Sequence, residues 1–410
     1  MTMIQPDAAA TTRVLRDEEE VEARIRAICF KTGPPTYVGA ELEWTLHHTR
    51  APQAPLDAGA VRRALGPHTP ATLDPQITPL PLPAGGQLTA EPGGQLEISS
   101  APATSLAGLH TAVTTDLDHL NSLLASAELA LGKHGIDPHR EPRRLLDTPR
   151  YAAMERSFDA QGPHGRTMMC STAGLQVCLD AGTPAQLGIR WAAISALGPV
   201  LTAAFANSRR HAGRDTGWAS ARMATWWGID ARRSHPIDRN GDDLATSWVR
   251  YALAAPLLCL RREGGSWDPP PGLTLRGWVN GALPWRPTLD DVDYHLSTLF
   301  PPVRPRGYLE VRYLDMQPGD EWIAPVAVLC SLLGDDATTQ AALELAAPTG
   351  DRWLRAARVG LADRELRRTA TAVLDLAGRR LDRTDLPPAV QRQVIDIVQR
   401  RLRDAEKPEE

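Results

Sequence analysis

The residues best suited to chemistry begin with Tyr37-Val38-Gly39-Ala40-Glu41-Leu42-Glu43-Trp44-Thr45-Leu46. Glu41, Glu43 and Thr45 occupy the odd positions; Val38, Ala40, Leu42, Trp44 and Leu46 occupy the even ones. Successive side chains of a β-strand point to opposite faces. A strand here therefore sets two glutamates side by side on a face whose reverse is apolar. Neighbouring carboxylates repel one another unless something positive lies between them. A divalent metal ion supplies that charge compactly.

Three further segments repeat the pattern. Leu88 to Ser99 places Gln95, Glu97 and Ser99 on one face and Leu96 and Ile98 on the other. Pro92-Gly93-Gly94 interrupts it, so a bulge or bend re-aims Glu91. Arg166 to Asp180 reads as a third strand, with Thr172, Gly174 and Gln176 opposite Ala173, Leu175 and Val177. Cys170 and Cys178 share the Gln176 face and read as buried, inert thiols. Gly307 to Asp315 is the fourth, with Tyr308, Glu310 and Arg312 opposite Leu309, Val311 and Tyr313. Any one of these matches the wet face of an ordinary antiparallel sheet. Such a face mixes lysine with acids, whereas here five glutamates (Glu41, Glu43, Glu91, Glu97, Glu310) stand on short strands with no lysine among them. Oxygen ligands of this kind suit Mg2+, which shares its coordination with substrate phosphates. A cluster of them can hold two or more ions for phosphoryl transfer. Arg312 points into the same space, where a guanidinium grips phosphate or carboxylate.

Composition removes several classes of function. The chain has 410 residues, a formal net charge of −4 and 42% hydrophobic residues, enough for a large core but no footprint for nucleic acid. Its three lysines (Lys31, Lys133, Lys407) lie in no phosphate loop, and no G-x-G-x-x-G occurs. Five cysteines without metal spacing argue for reduced thiols in a cytoplasm. The N-terminus has no secretory pattern. The apolar run from Trp191 to Ala206 carries Ser195, Gly198, Pro199 and Thr202, so a buried helix is expected rather than a membrane span. The His-Asp clusters of a metal-dependent hydrolase are missing.

These strands need a frame. Residues 1–16 read as disordered, 17–403 as one catalytic domain whose 351–403 form peripheral C-terminal helices, and 404–410 as a frayed tail. Helices are expected over Asp17–Phe30, Ser105–His134, Thr183–Asn207, Asp243–Leu260, Leu289–Leu299 and Ile323–Leu333, with helical pattern again from Thr338 onward. Residues 208–235 read as a loop-rich segment dense in arginine and tryptophan, mostly solvated but able to meet an anionic substrate.

Gly39-Ala40-Glu41-Leu42-Glu43-Trp44, Glu91-Pro92-Gly93-Gly94-Gln95-Leu96-Glu97-Ile98-Ser99 and Tyr308-Leu309-Glu310-Val311-Arg312 resemble the signature strands of the plant and bacterial glutamate–cysteine ligase family. Met169 to Gln176 and Asn207-Ser208…Gly217…Ser220-Ala221-Arg222 match in the same order, over about residues 36–330. Within the family the likeness is greatest to the actinobacterial ligases of ergothioneine biosynthesis. One departure is Asn207-Ser208-Arg209-Arg210, where the family often has Asn-Ser-Pro-Phe. The resemblance implies an α+β, glutamine-synthetase-like fold: an antiparallel sheet curved into a funnel, with helices on its outer face. It implies ATP-dependent joining of the glutamate γ-carboxylate to the cysteine amine through an acyl phosphate. It assigns Mg2+ to Glu41, Glu43, Glu91, Glu97 and Glu310, catalysis to Arg312 and Glu310, and substrate contacts to Thr172, Gln176, Arg222 and Arg233. Two other readings stay open: the same fold with a different amine acceptor, and a catalytically silent binding relative. The intact acidic set argues against the second.

Overall fold

The computed structural model describes residues 13–238, 241–262 and 264–404. Its centre is a six-stranded antiparallel sheet built from β1 (Val38–Trp44), β2 (Gln87–Ala90), β3 (Leu96–Ser99), β4 (Gly174–Leu179), β5 (Val303–Pro305) and β6 (Leu309–Asp315). The spatial order is β2-β3-β1-β4-β6-β5. Val38, Ala40, Leu42, Trp44, Leu96, Ile98, Leu175, Val177, Leu309, Val311 and Tyr313 are buried on one side and belong to a single core. The expected mixed class, an antiparallel sheet backed by helices, is what the chain forms.

The helices that cover the apolar face explain why it is dry. α2 (Leu106–Ala125) starts at Ser105, whose side chain accepts the Gly108 N–H, and buries Leu106, Leu109, Val113, Leu117, Leu120 and Leu124. α5 (Pro184–Ala204) starts with a capping box between Thr183 and Gln186 and has Pro184 in its first turn. It is the only helix, among the described residues, long and apolar enough to cross a membrane, and most of it is buried in the core. Tyr313 of β6 donates its hydroxyl to the Ile194 carbonyl of α5 at 3.1 Å. α10 (Asp336–Ala346), α11 (Trp353–Val359) and α12 (Arg364–Gly378) pack on α5 from the other side. α9 (Ile323–Leu332) and α13 (Pro388–Asp404) complete that layer. A second, smaller core joins α1 (Glu18–Cys29), α7 (Leu244–Ala254) and α8 (Leu289–Leu296).

Several expectations need correction. Residues 13–16 are ordered: Val14 bridges Thr288, and Leu15 is 1% exposed within the second core. Residues 1–12 and 405–410 lie outside the described part, and Asp404 ends α13. The helix expected to reach His134 stops at Ala125. Glu128 then takes a positive φ of 54°, which a helix forbids, and Leu129–Leu131 pairs with Leu46–His48. Between the helices expected to end at Leu260 and start at Leu289, Leu275, Trp278 and Val279 form a buried helical turn. The third strand begins at Gly174, and His164–Ser171 is a helix, α4. Cys170 therefore sits in a helix, and only Cys178 shares a strand face with Gln176. All five cysteines are free.

Gly198 shows how tightly α5 and α11 meet. A methyl group there would lie 1.8 Å from the Trp353 ring. Alanine inside a helix ordinarily stabilises it by about 1 kcal/mol over glycine. We expect Gly198→Ala instead to destabilise the protein by about 1–3 kcal/mol through overpacking. Chemical denaturation measures this, and a gain in stability would mean that the two helices are not in contact at this point.

Candidate active site

The antiparallel register assembles one polar face. Glu43 pairs with Glu97 and Glu41 with Ser99 across β1 and β3. Glu41 also pairs with Gln176 across β1 and β4. On the far side Glu310 pairs with Cys178 and with Arg304. A bulge after Val311 lets Arg312 reach the Gln176 amide oxygen. One face of the sheet thus runs from acid on β1 and β3 to arginine on β5 and β6, with the neutral Gln176 between.

Glu91 joins this face from a hairpin turn. The interruption at Pro92-Gly93-Gly94 is not a bulge in one strand but the turn joining β2 to β3: Gly94 N–H donates to Glu91 O and Glu91 N–H to Gln95 O, both at 2.8 Å. Gly94 has a φ of 90°, which only glycine adopts readily. A Cβ on Gly93 would stand 2.1 Å from the Cys170 carbonyl oxygen, so the turn needs glycine to dock on the end of α4. Gln95 locks it there, donating its amide to Met169 O and Thr172 O at 3.2 and 3.0 Å. Gln95 is consequently buried, and it serves the turn rather than the open face.

Glu41, Glu43, Glu91 and Glu97 lie at the bottom of this face with a little accessible surface each. Their partners are neutral. The Gly174 N–H donates to Glu43 at 3.0 Å, and Glu97 accepts from Thr89 at 3.2 Å and from Gln176 at 3.3 Å. None of the four makes an ion pair among the described residues. Burial, then the Glu97 and Glu310 charges, pushes Glu41 up to about 8. Burial and Glu91 push Glu97 up to about 7. Glu43 is raised well above the ordinary range by burial, Glu91 and Glu97. Glu91 is raised by burial, against the pull of Arg150.

Glu310 behaves differently. It is 0% exposed. Arg304 grips it with two bonds of 2.6 and 3.0 Å, Arg306 with one of 3.2 Å and Arg312 with one of 3.0 Å. Burial works against its charge, but Arg304, Arg312 and Arg306 outweigh burial and hold the carboxyl below its ordinary range. The expectation of an acid with few basic partners fails at this residue. Glu310 anchors three guanidiniums, and binding a metal would mean releasing one of them. Arg304 and Arg306 are members of the site that sequence reasoning missed. Their two-residue spacing in Val303-Arg304-Pro305-Arg306 was the available signal.

The other expected substrate contacts divide. Gln176 bridges Glu97 and Arg312, as a site residue should. Thr172 does not face the site: it is buried, and its hydroxyl donates to Met168 O at 2.6 Å at the end of α4. Arg222, in α6 (Ala221–Trp227), is 3% exposed. It reaches the acid face at Gly174, its guanidinium 2.4 Å from where a Gly174 Cβ would stand, and it donates to Arg312 O at 2.9 Å and lies 3.9 Å from Asp315. Arg233 is buried and spends its guanidinium on Thr298 O and Pro256 O. Arg233 braces two carbonyls, whereas Arg222 keeps an Nε without a hydrogen-bond partner among the described residues and its charge acts on Glu43. The Asn207-Ser208 pair holds Asp315 through the Asn207 N–H at 2.8 Å and the Ser208 hydroxyl at 2.7 Å. The departure at Arg209-Arg210 falls on an outward hairpin.

The donor set fits Mg2+ in chemistry: four carboxylates on one sheet face, none of them in an ion pair among the described residues. Among the described residues no three acids, histidines or cysteines already meet around one point.

Two carboxylates on one face should respond oppositely to neutralisation. A glutamate whose folded pKa is raised takes up a proton on folding, so it weakens the fold as pH rises above its ordinary value of 4.5. Without metal, Glu41→Gln is expected to stabilise the protein slightly at pH 5 and increasingly towards pH 8. Glu310→Gln strands buried arginines and should cost about 3–5 kcal/mol. Calorimetric melting in chelator across this pH range reads both. A pH-independent effect of Glu41→Gln, or a stabilising Glu310→Gln, would contradict this charge map.

Comparison with known proteins identifies the family. The model of Glutamate-cysteine ligase family 2 (GCS2) matches residues 37–409. The chain is 41% identical to the glutamate–cysteine ligase EgtA of Mycobacterium tuberculosis over 333 residues, 78% of this chain and 76% of that one. It is 40% identical to the EgtA of Mycolicibacterium smegmatis over 310 residues, 73% of this chain and 72% of that one. The chloroplastic glutamate–cysteine ligase of Arabidopsis thaliana is 33% identical over 333 residues, 76% of this chain and 63% of that one. With a family match spanning almost the whole chain and its acidic strands on one sheet face, this protein belongs to glutamate–cysteine ligase family 2.

Proposed function

We propose that this chain joins the γ-carboxylate of glutamate to the amine of cysteine, driven by ATP, and releases γ-glutamylcysteine, ADP and phosphate. The observation that carries the proposal is four carboxylates on one sheet face, none in an ion pair among the described residues, bordered by Arg312. A carboxylate is a poor electrophile. Its oxygen first attacks the γ-phosphorus of ATP, the bond to ADP breaks, and a γ-glutamyl phosphate results. The cysteine nitrogen then attacks the carbonyl carbon, the bond to phosphate breaks, and the amine gives up a proton. Two or more Mg2+ ions, held by Glu41, Glu43, Glu91 and Glu97, would neutralise the phosphate and carboxylate oxygens that otherwise repel.

The protein's own groups do the positioning. Arg312 offers a guanidinium to the phosphoryl group in transfer, where charge stabilisation counts most. Glu310 fixes one end of that guanidinium and Gln176 orients it towards the acids. Arg222 holds the Arg312 backbone through its carbonyl. We assign Glu310 to this positioning role rather than to a metal. The higher identity to the mycobacterial ligases called EgtA than to the plant enzyme supports a place in ergothioneine biosynthesis. Five free thiols suit a reducing cytoplasm.

Purified protein with Mg-ATP and glutamate should release ADP when cysteine is added, more slowly with 2-aminobutyrate and least with simple alkyl amines. Alkyl amines outpacing cysteine would favour a ligase with another acceptor, and no turnover would favour a binding relative. Arg312→Lys should lower kcat about 100-fold or more, as loss of an oriented donor does. Full activity in that variant would remove Arg312 from the transfer step.

A further inference from the structure

The Arg312 guanidinium is tied to the protein through a single nitrogen. Its Nη1 donates to the Gln176 amide oxygen and, at 3.0 Å, to Glu310. Its Nε is buried without a hydrogen-bond partner, and Nη2 has none among the described residues. Two bonds that converge on one nitrogen fix where that nitrogen lies and leave the plane of the group free to swing about it. A planar donor that has to meet a phosphoryl oxygen needs its plane set as well.

The ring of Trp226 gives that plane a surface. The centre of the Arg312 guanidinium lies 5.6 Å from the ring centre, and that of Arg222 lies 5.8 Å from it. Both fall within the ~6 Å reach of a cation–π contact. Arg222 and Trp226 stand four residues apart on α6 and so share one side of that helix. The ring is braced in turn: Phe300 meets it edge to face, 5.4 Å between centres and at 71°. Ser220 starts α6, accepting the Met223 N–H at 3.1 Å and donating to Asp315 at 2.8 Å. Asp315 lies on β6, three residues after Arg312, so ring and guanidinium are fixed to the same strand by separate routes. A small cavity beside them is lined by both partners with Met223, Ser234, Phe300 and Pro302, which brings no acid to this side of Arg312. The indole N–H is buried and makes no hydrogen bond among the described residues. Trp226 therefore acts through the face of its ring and not through its donor. A second arginine pair shares the Tyr294 ring, Arg150 of α3 (Pro149–Asp159) at 4.9 Å and Arg261 at 4.6 Å. There Arg150 is held at two nitrogens by Ser297, which already sets its plane.

We propose that Trp226 is a positioning residue for phosphoryl transfer: its ring sets the plane of the Arg312 guanidinium and leaves Nη2 for the anion. The proposal rests on the ligase reading and adds a residue which that reading does not use.

The test is a pair of double-variant cycles in the full chain. Trp226→Leu removes the ring and should lower kcat about 5- to 30-fold, the factor such a contact carries, with KM for glutamate, cysteine and ATP changed less than about 3-fold. Trp226→Phe keeps a ring with a weaker face and should recover part of the loss. In Arg312→Lys, whose ammonium has no plane to set, Trp226→Leu should lower kcat by less than a further factor of about 2. Urea denaturation gives the second cycle. Trp226→Leu and Arg312→Met combined should reduce the folding equilibrium constant about 5-fold less than the product of the two single losses. Losses that simply multiply in either cycle, an unchanged kcat in Trp226→Leu, or a Trp226→Phe no better than Trp226→Leu would each overturn the proposal. If Trp226→Leu does not fold, Trp226→Phe takes its place in both cycles, with smaller factors and the same criterion. Absence of ADP release from the unaltered protein counts against the ligase reading alone. The denaturation cycle then decides whether the ring holds Arg312, and losses that multiply there reject it.

Discussion

Glu43 and Glu97 occupy directly opposed positions on adjacent antiparallel strands. Like charges so placed destabilise a sheet. The pairing persists because the opposite face decides the register. Leu42, Leu96, Ile98 and Leu175 are fully buried there. Slipping β1 by one residue would carry its whole apolar set to the wet side and Glu41 and Glu43 into the core. Each fully buried aliphatic side chain contributes about 1.5–3 kcal/mol, so the sum over the sheet far exceeds the repulsion of a few carboxylates. Hydrophobic burial therefore forces the acids together, and the folded chain holds a site under electrostatic strain that a cation relieves.

The strain is confined to half the sheet. On β1 and β3 the acids have only neutral donors. On β5 and β6 the single acid, Glu310, is surrounded by Arg304, Arg306 and Arg312. Gln176 stands on the strand between and touches both halves, donating to Glu97 and accepting from Arg312. An amide can do this because it offers donor and acceptor on one planar group. An anionic substrate entering this face meets a guanidinium on one side and carboxylates that demand cations on the other. Charge is thus separated along one surface, carboxylates on β1 and β3 and guanidiniums on β5 and β6.

How much of this could be read in the residues alone varies by element. β1, β3 and β6 alternate cleanly because each has one core face and one wet face, and their glutamates were found at once. The Arg166–Ser171 stretch misled, since Met168, Met169 and Cys170 are apolar without a clear period, and the strand was extended through what is α4. Thr172 was then given a face it does not have. Arg222 and Arg233 looked like loop arginines, and both are buried because distant carbonyls accept from them, which no local pattern reveals. Arg304 and Arg306 hid in the proline-rich Pro301-Pro302-Val303-Arg304-Pro305-Arg306. Pro305 is tolerated there because β5 is an edge strand.

Gly174 shows why the floor depends on a residue without a side chain. Its N–H donates to Glu43 above it at 3.0 Å. Any Cβ at this position would stand 2.4 Å from the Arg222 guanidinium. The missing methyl lets a buried cation come up to the sheet beside the most strained acid, where its charge lowers the cost of Glu43. Arg222 is itself held by Asp315, which Asn207, Ser208 and Ser220 fix with bonds of 2.7–2.8 Å. The Asn-Ser and Ser-Ala-Arg motifs are thus linked to the acidic strands through one carboxylate and one glycine. Through Asp315 they fix Arg222, and its bond to the Arg312 carbonyl ties both residues to the acidic strands.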